Sequence, residues 1–259
     1  VSTAWGDSGL GRHKRMFAVP QGGKVVIDGK LDDWDLSGQI WIYVMQQTAE
    51  MQSARFAIMY DAEALYLSAV VRDPSPLMNK HDPRVDAAQA WDADCAQVRL
   101  TLDPAMGYPY HNNRSSADDQ LVTFCLWFYT DRKEPCLQIG SGGNLVMPTP
   151  RASWPQGVAP AAEFQAAYVM SADKLGYTFE YRIPWKTLGA KNPPKAGDIL
   201  AGNVQFNWSS PDGLHTAGFS AWAYDLLSQP GFPYQESRVW GKIIVSDKGN
   251  LPKALVEEG

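Results

Sequence analysis

The sequence predicts an all-β fold, an antiparallel β-sandwich of jelly-roll type with long loop insertions. Three observations predict it: apolar and polar residues alternate with period 2 in many segments, helical periodicity is nearly absent, and Gly, Pro, Asn and Asp clusters separate the alternating runs. So many short strands between turns bury one face each by packing as two leaves.

Residues 1–23 read as an N-terminal arm, 24–246 as one domain and 247–259 as a tail or linker. Strands are expected first at 24–27, 40–45, 54–60 and 64–71. In the next, Ala96, Val98, Leu100 and Leu102 alternate with Gln97, Arg99 and Thr101, which puts a polar row on the outward face. Segments 121–130 and 163–170 follow. The cleanest alternation is Tyr177, Phe179, Tyr181 and Ile183 against Thr178, Glu180 and Arg182, so the rings enter a core and the polar set meets water or ligand. Val204, Phe206 and Trp208 alternate likewise with Gln205, Asn207 and Ser209, and strands at 217–223 and 239–245 complete the set. Residues 104–120 and 140–162 are rich in Pro, Gly, Ser, Asn and Asp and read as long loops, a length that points to decoration of a binding site or to mobility.

Composition narrows the function. A chain of 259 residues with 45% hydrophobic and 20% charged residues fits one large globular domain. The net charge of -5 and scattered Lys and Arg offer no field for phosphates, which argues against nucleic acid as a partner. No apolar run reaches the roughly 20 residues that span a bilayer, so no membrane partner is expected. Cys95, Cys125 and Cys136 lack CxxC spacing and allow at most one bridge. The 10 Trp, 11 Tyr and 9 Phe exceed what the core requires, so some rings are expected to face a ligand.

Four ordered segments carry a family resemblance. Val25-Val26-Ile27-Asp28-Gly29-Lys30-Leu31-Asp32-Asp33-Trp34 reads as a turn in which Gly29 can supply a positive φ and the Asp side chains can bond turn amides. Leu65-Tyr66-Leu67-Ser68-Ala69-Val70-Val71-Arg72-Asp73, then Trp91-Asp92-Ala93-Asp94-Cys95-Ala96-Gln97, then Gly176-Tyr177 through Ile183-Pro184-Trp185 and on to Leu188, follow in order. With Gly202-Asn203-Val204-Gln205-Phe206-Asn207 and Trp240-Gly241, the set resembles the family 9 carbohydrate-binding modules and their DOMON-like relatives over most of residues 24–245. The resemblance implies a β-sandwich, non-catalytic binding of an oligo- or polysaccharide, a structural calcium, and secretion to a periplasmic or extracellular place, within a larger multidomain polysaccharide-degrading system.

It also implies site residues. Trp91 stands where the family stacks its ligand, and the second stacking ring falls at Tyr234, with Phe232 as the alternative. A sugar held between Trp91 and Tyr234 is the expected arrangement, since sugars offer apolar C–H faces to rings and hydroxyls to planar polar groups. Gln97, Arg99, Gln205 and Asn207, on the outward rows, are candidates for the hydroxyls. The family's Arg and Asn contacts would fall near Asp118 to Phe124, where nothing matches, so its preference for particular glycan ends does not carry over. His111 to Arg114 lie in the adjacent loop and read first as a solvated loop, with replacement of those contacts as the alternative. Carboxylates cluster at Asp28, Asp32 and Asp33, at Asp92 and Asp94, and at Asp118 and Asp119, but there is no EF-hand loop and turn capping explains most of them, so the implied calcium has no assigned ligands.

Two other classes are open. A haem-binding electron carrier of the DOMON type would need axial ligands, for which Met78, Lys80, His81, Met59, Met106 and His111 are available. A glycan-active enzyme would need a carboxylate pair or other acid–base groups on the long loops; no GxSxG, P-loop or HExxH motif is present.

Overall fold

The computed structural model describes residues 13, 15–151, 153–224 and 233–257. Its strands are β1 (Arg15–Pro20), β2 (Ile40–Tyr43), β3 (Ser53–Tyr60), β4 (Ala64–Arg72), β5 (Cys95–Thr101), β6 (Leu121–Tyr129) and β7 (Glu134–Ser141). They continue as β8 (Thr149–Pro150), β9 (Gln165–Met170), β10 (Gly176–Pro184), β11 (Ile199–Ser209), β12 (Thr216–Trp222) and β13 (Gly241–Val245). Two short helices are described, α1 (Trp185–Leu188) and α2 (Lys253–Glu257), and neither is long or apolar enough to cross a membrane.

The strands hydrogen-bond into one curled sheet, in the order β8-β7-β6-β5-β11-β13-β1-β3-β4-β10-β9, with β12 beside β11 and β2 beside β3. The curl folds the sheet onto itself. Phe56 of β3 meets Phe206 of β11 edge to face at 5.9 Å, and Phe179 of β10 stacks on Phe206 at 6.2 Å, so the two halves pack as the leaves of a sandwich. The period-2 expectation holds along β10, whose Tyr177, Phe179, Tyr181 and Ile183 all enter the core.

The seam between the leaves is β1. Its residues Arg15 to Ala18 pair with Lys242 to Val245 of β13, and Ala18 to Pro20 pair with Ile58 to Tyr60 of β3, both in parallel. Each leaf away from this seam is antiparallel. The boundary at residue 24 is therefore corrected: part of the expected arm is an interior strand. Met16, Phe17, Ala18 and Val19 are all buried, because a parallel strand covered on both faces reads as an unbroken apolar run without alternation. Conversely, Lys24 to Ile27 is not a strand; Val26 N–H donates to Asp33 Oδ2 instead of to a sheet neighbour. The expected tail contains α2, whose Val256 is buried and whose Leu255 carbonyl accepts from Arg15 Nη2 at 2.9 Å.

Glu180 also departs from its expected place. Rather than meeting water, its carboxylate is fully buried, accepting from the Asp28 amide at 2.9 Å, the Gly29 amide and the Trp34 indole at 2.6 Å. Gly29 holds φ at 86°, as the turn requires. The first and fourth sequence segments are thus one lock between turn and strand.

Candidate functional site

On β5, β6 and β11 the residues that alternate with the core set share the opposite face. Strand register places them in rows. Gln205 of β11 stands beside Gln97 of β5 and then Cys125 of β6, while on its other side it pairs with Trp222 of β12. One step along, Asn203, Arg99 and Thr123 are aligned, and Asn207 pairs with Ser220. Four of the expected site residues, Gln97, Arg99, Gln205 and Asn207, are therefore neighbours, although they came from two separate stretches of sequence.

They bond to each other. Gln205 Nε2 donates to Asn207 Oδ1 at 2.9 Å, and Ser220 Oγ donates to the same oxygen at 2.8 Å. Asn207 Nδ2 donates to the Trp91 carbonyl, fixing the short 3-10 segment Ala87–Asp92 over this end of the face. Arg99 Nη2 donates to Gln97 Oε1 at 2.7 Å. The outward direction of these rows is as expected, but their exposure is corrected: Gln97, Arg99 and Asn207 are buried, whereas Gln205 is half-buried. A second layer over the face accounts for this.

That layer is aromatic. Trp222 is half-buried, and the Arg99 guanidinium lies over its ring at 5.3 Å. Tyr234, also half-buried, stacks on Trp222 with ring centroids 6.5 Å apart and planes 20° from parallel. Trp91 is half-buried at the Asn207 end. The structure thus brings the Trp91 backbone carbonyl and the Tyr234 ring to the same polar face, and gives Tyr234 a ring partner in Trp222, which the sequence reading missed. Its signal was the alternation of Ser220 and Trp222 within an expected strand. Phe232 lies outside the described residues.

The two long loops hold Tyr234 in place. Asn112 Nδ2 donates to the carbonyls of Gly143 at 2.9 Å and Gln235 at 3.1 Å, and Asn112 Oδ1 accepts from Ser237 N–H at 2.7 Å. Trp240, fully buried, donates from its indole to the Pro233 carbonyl at 2.6 Å. Asn112 therefore staples both loops to the Tyr234 segment.

Arg99 dominates the electrostatics. It is 5% exposed, and Nε and Nη1 have no hydrogen-bond partner among the described residues; neither do Asn203 Nδ2 and Thr123 Oγ1 in the same row. Burial pulls its pKa down to about 10, opposed by Cys125, Cys95 and Tyr234, so the side chain stays a cation at neutral pH. Unmet buried donors gathered on one face are where an incoming oxygen gains most.

The remaining candidates do other work. His81 holds Asp86 through Nδ1 at 2.7 Å and the Leu214 carbonyl through Nε2 at 3.2 Å, and Met59 is in the core, so neither is open as an axial ligand. The acidic clusters serve turns: Asp28 accepts from the Lys30 amide, Asp92 from the Thr216 amide, Asp94 from the Met78 and Ser209 amides, and Asp118 from the Gln120 amide. No group of three or more His, Cys, Asp or Glu side chains suited to a metal occurs among the described residues. All three cysteines are buried and unbridged. A groove of about 700 Å³ lies elsewhere, along Lys24 to Ile27, but its one lining aromatic ring, Phe164, is buried and stacks on Tyr181, and so offers no platform.

No family model matches the chain. It is 25% identical over 213 residues to endo-1,4-beta-xylanase A of Thermotoga neapolitana and 24% identical to that of Thermotoga maritima, covering 80% of this chain but 16% of each xylanase. The chain thus spans about a sixth of the length of these relatives. Among solved structures, a carbohydrate-binding module of family 9 from Caldicellulosiruptor kristjanssonii in complex with cellotriose superposes with a TM-score of 0.58 at 18% identity, covering 92% of this chain and 98% of that one. The same module with glucose gives a TM-score of 0.57, also at 18% identity, with 92% and 99% covered.

Proposed function

From the fold it shares with the family 9 carbohydrate-binding modules, we propose that this chain binds an oligo- or polysaccharide without catalysing a reaction on it. The observation that carries the reading is the convergence of the Trp222 and Tyr234 rings on a row of planar polar side chains, Gln97, Arg99, Gln205 and Asn207, with the Trp91 carbonyl bonded to Asn207 at one end. Rings of this kind stack on the C–H face of a pyranose, and amide and guanidinium groups pair with the hydroxyls at its edge. The match to a small part of two xylanases supports a module that tethers a larger polysaccharide-degrading protein to its substrate.

Calorimetry and affinity electrophoresis against soluble plant, algal and microbial glycans test this. Trp222→Ala and Tyr234→Ala are each expected to weaken binding by at least about tenfold, the loss typical of an aromatic anchor, with the melting temperature little changed. Absence of binding to every glycan, or variants that bind as the parent does, sinks the reading.

A further inference from the structure

The buried cation of the sugar face has no anionic partner among the described residues. Arg72, Arg84, Arg182 and Arg238 each meet a carboxylate at partly exposed positions, as in Arg72–Asp173 at 2.7 Å and Arg84–Glu134 at 2.7 Å. Arg99, the most deeply buried of these five, forms no ion pair among the described residues, and its one side-chain acceptor, Gln97 Oε1, is neutral. The Cys95 thiol nearby supplies no negative charge at neutral pH, since burial pushes its pKa well up. The face of the Trp222 ring gives the charge partial relief only.

Taking a guanidinium out of water is costly unless an opposite charge and full hydrogen bonding compensate it. Neutral sugar hydroxyls would satisfy the N–H groups at Nε and Nη1 but leave the charge uncompensated. An anionic group does both, because charge-assisted hydrogen bonds to carboxylate or sulfate are the stronger class. The chain's overall charge of -5 makes this local, buried cation a matter of the site and not of a general basic field.

Resting on the carbohydrate reading of this face, we propose that its ligand is an acidic glycan, bearing a uronate carboxylate or a sulfate ester that pairs with Arg99. Trp222 and Tyr234 then set the ring's position and Arg99 sets its charge.

Calorimetry on the intact chain tests this with probes of equal length. These are a xylo-oligosaccharide with and without a glucuronic acid substituent, a cello-oligosaccharide, an oligogalacturonide, and a galactan oligosaccharide with and without sulfate. At least one acidic member is expected to bind about tenfold or more tighter than its neutral counterpart. Preference confined to the sulfated arm identifies sulfate as the source, and preference confined to the uronate arms identifies carboxylate. Arg99→Gln should bring the acidic-to-neutral ratio within about twofold, while Arg99→Lys, which keeps the charge without the planar fork, should retain part of it. The parent comparison needs no variant, so it stands if either substitution disturbs folding. Neutral oligosaccharides binding as tightly as the acidic ones overturn the proposal and leave the carbohydrate reading intact. Failure of every probe, acidic and neutral, overturns both.

Discussion

Replacing Glu180 with Ala should destabilise the domain by about 3–5 kcal/mol without altering sugar affinity of the folded protein. Three donors converge on this buried carboxylate: the Asp28 and Gly29 amides and the Trp34 indole. A buried donor left without a partner costs about 1–3 kcal/mol, and a hydrogen bond to a charged group is worth about 1.5–3 kcal/mol. Those costs are not additive, since water entering the space left by the side chain recovers part of them, which brings the sum to the upper range of single substitutions. Glu180→Gln keeps one acceptor oxygen and should cost less, about 1–3 kcal/mol. With a urea m-value of about 3 kcal/mol/M, the Ala variant should lower the unfolding midpoint by about 1–2 M. Urea titration followed by tryptophan fluorescence reads this directly. A midpoint within about 0.3 M of the parent would show that the Asp28-Gly29 turn does not depend on Glu180, and that the lock between the first and fourth segments is not structural.

The loop staple and the buried acid pair give two further expectations. Asn112→Ala removes bonds from the loops to Gly143, Gln235 and Ser237, and should weaken glycan binding several-fold through Tyr234 while the Trp222→Ala variant gains no further loss from it; independent, multiplying losses would separate Asn112 from the ring. Asp94 is buried beside Asp73, whose Oδ2 has no hydrogen-bond partner among the described residues, and burial followed by Asp73's charge raises the Asp94 pKa well above the ordinary 3.8, so the pair holds a proton to higher pH than an ordinary carboxylate does. A raised folded-state pKa contributes stability that is full below the unfolded value and is lost as pH rises through the folded value. Asp73→Asn keeps an acceptor for Ser75 and offers Asp94 an N–H, so it should flatten the fall in melting temperature from pH 4 upward; an unchanged slope would mean the pair does not share a proton.

Much of the fold was legible because one buried face prints a period of 2 on the chain. Strand β10 shows it, with four of four expected core residues inside. Where both faces are covered, the print fails. Met16 to Val19 of β1 showed no alternation, and Glu180, polar at an outward position, gave no sign that a turn from 150 residues earlier would cap it. Strand β7 was missed for another reason: Pro135 and Gly140 interrupt its run, and its edge partner β8 is two residues long. In the site, sequence identified the polar rows of β5 and β11 but not their adjacency, which is a property of strand order. Trp222 could be placed on a face but not over Arg99, because that contact depends on β12 pairing with Gln205.

The parallel seam at β1 also defines a path for mechanical force. Tension applied between the chain before Arg15 and the chain after Glu257 first meets α2, held by Val256 and by the bond from Arg15 to the Leu255 carbonyl. Once that short helix is stripped away, the pull runs through β1 and β13 in opposite directions along two parallel neighbours, Arg15 beside Lys242 and Ala18 beside Val245. The strands are then sheared, not peeled, and the bonds of the register share the load until they fail together. Pulled by its two ends, the domain would give way by a small extension first and hold against a larger one.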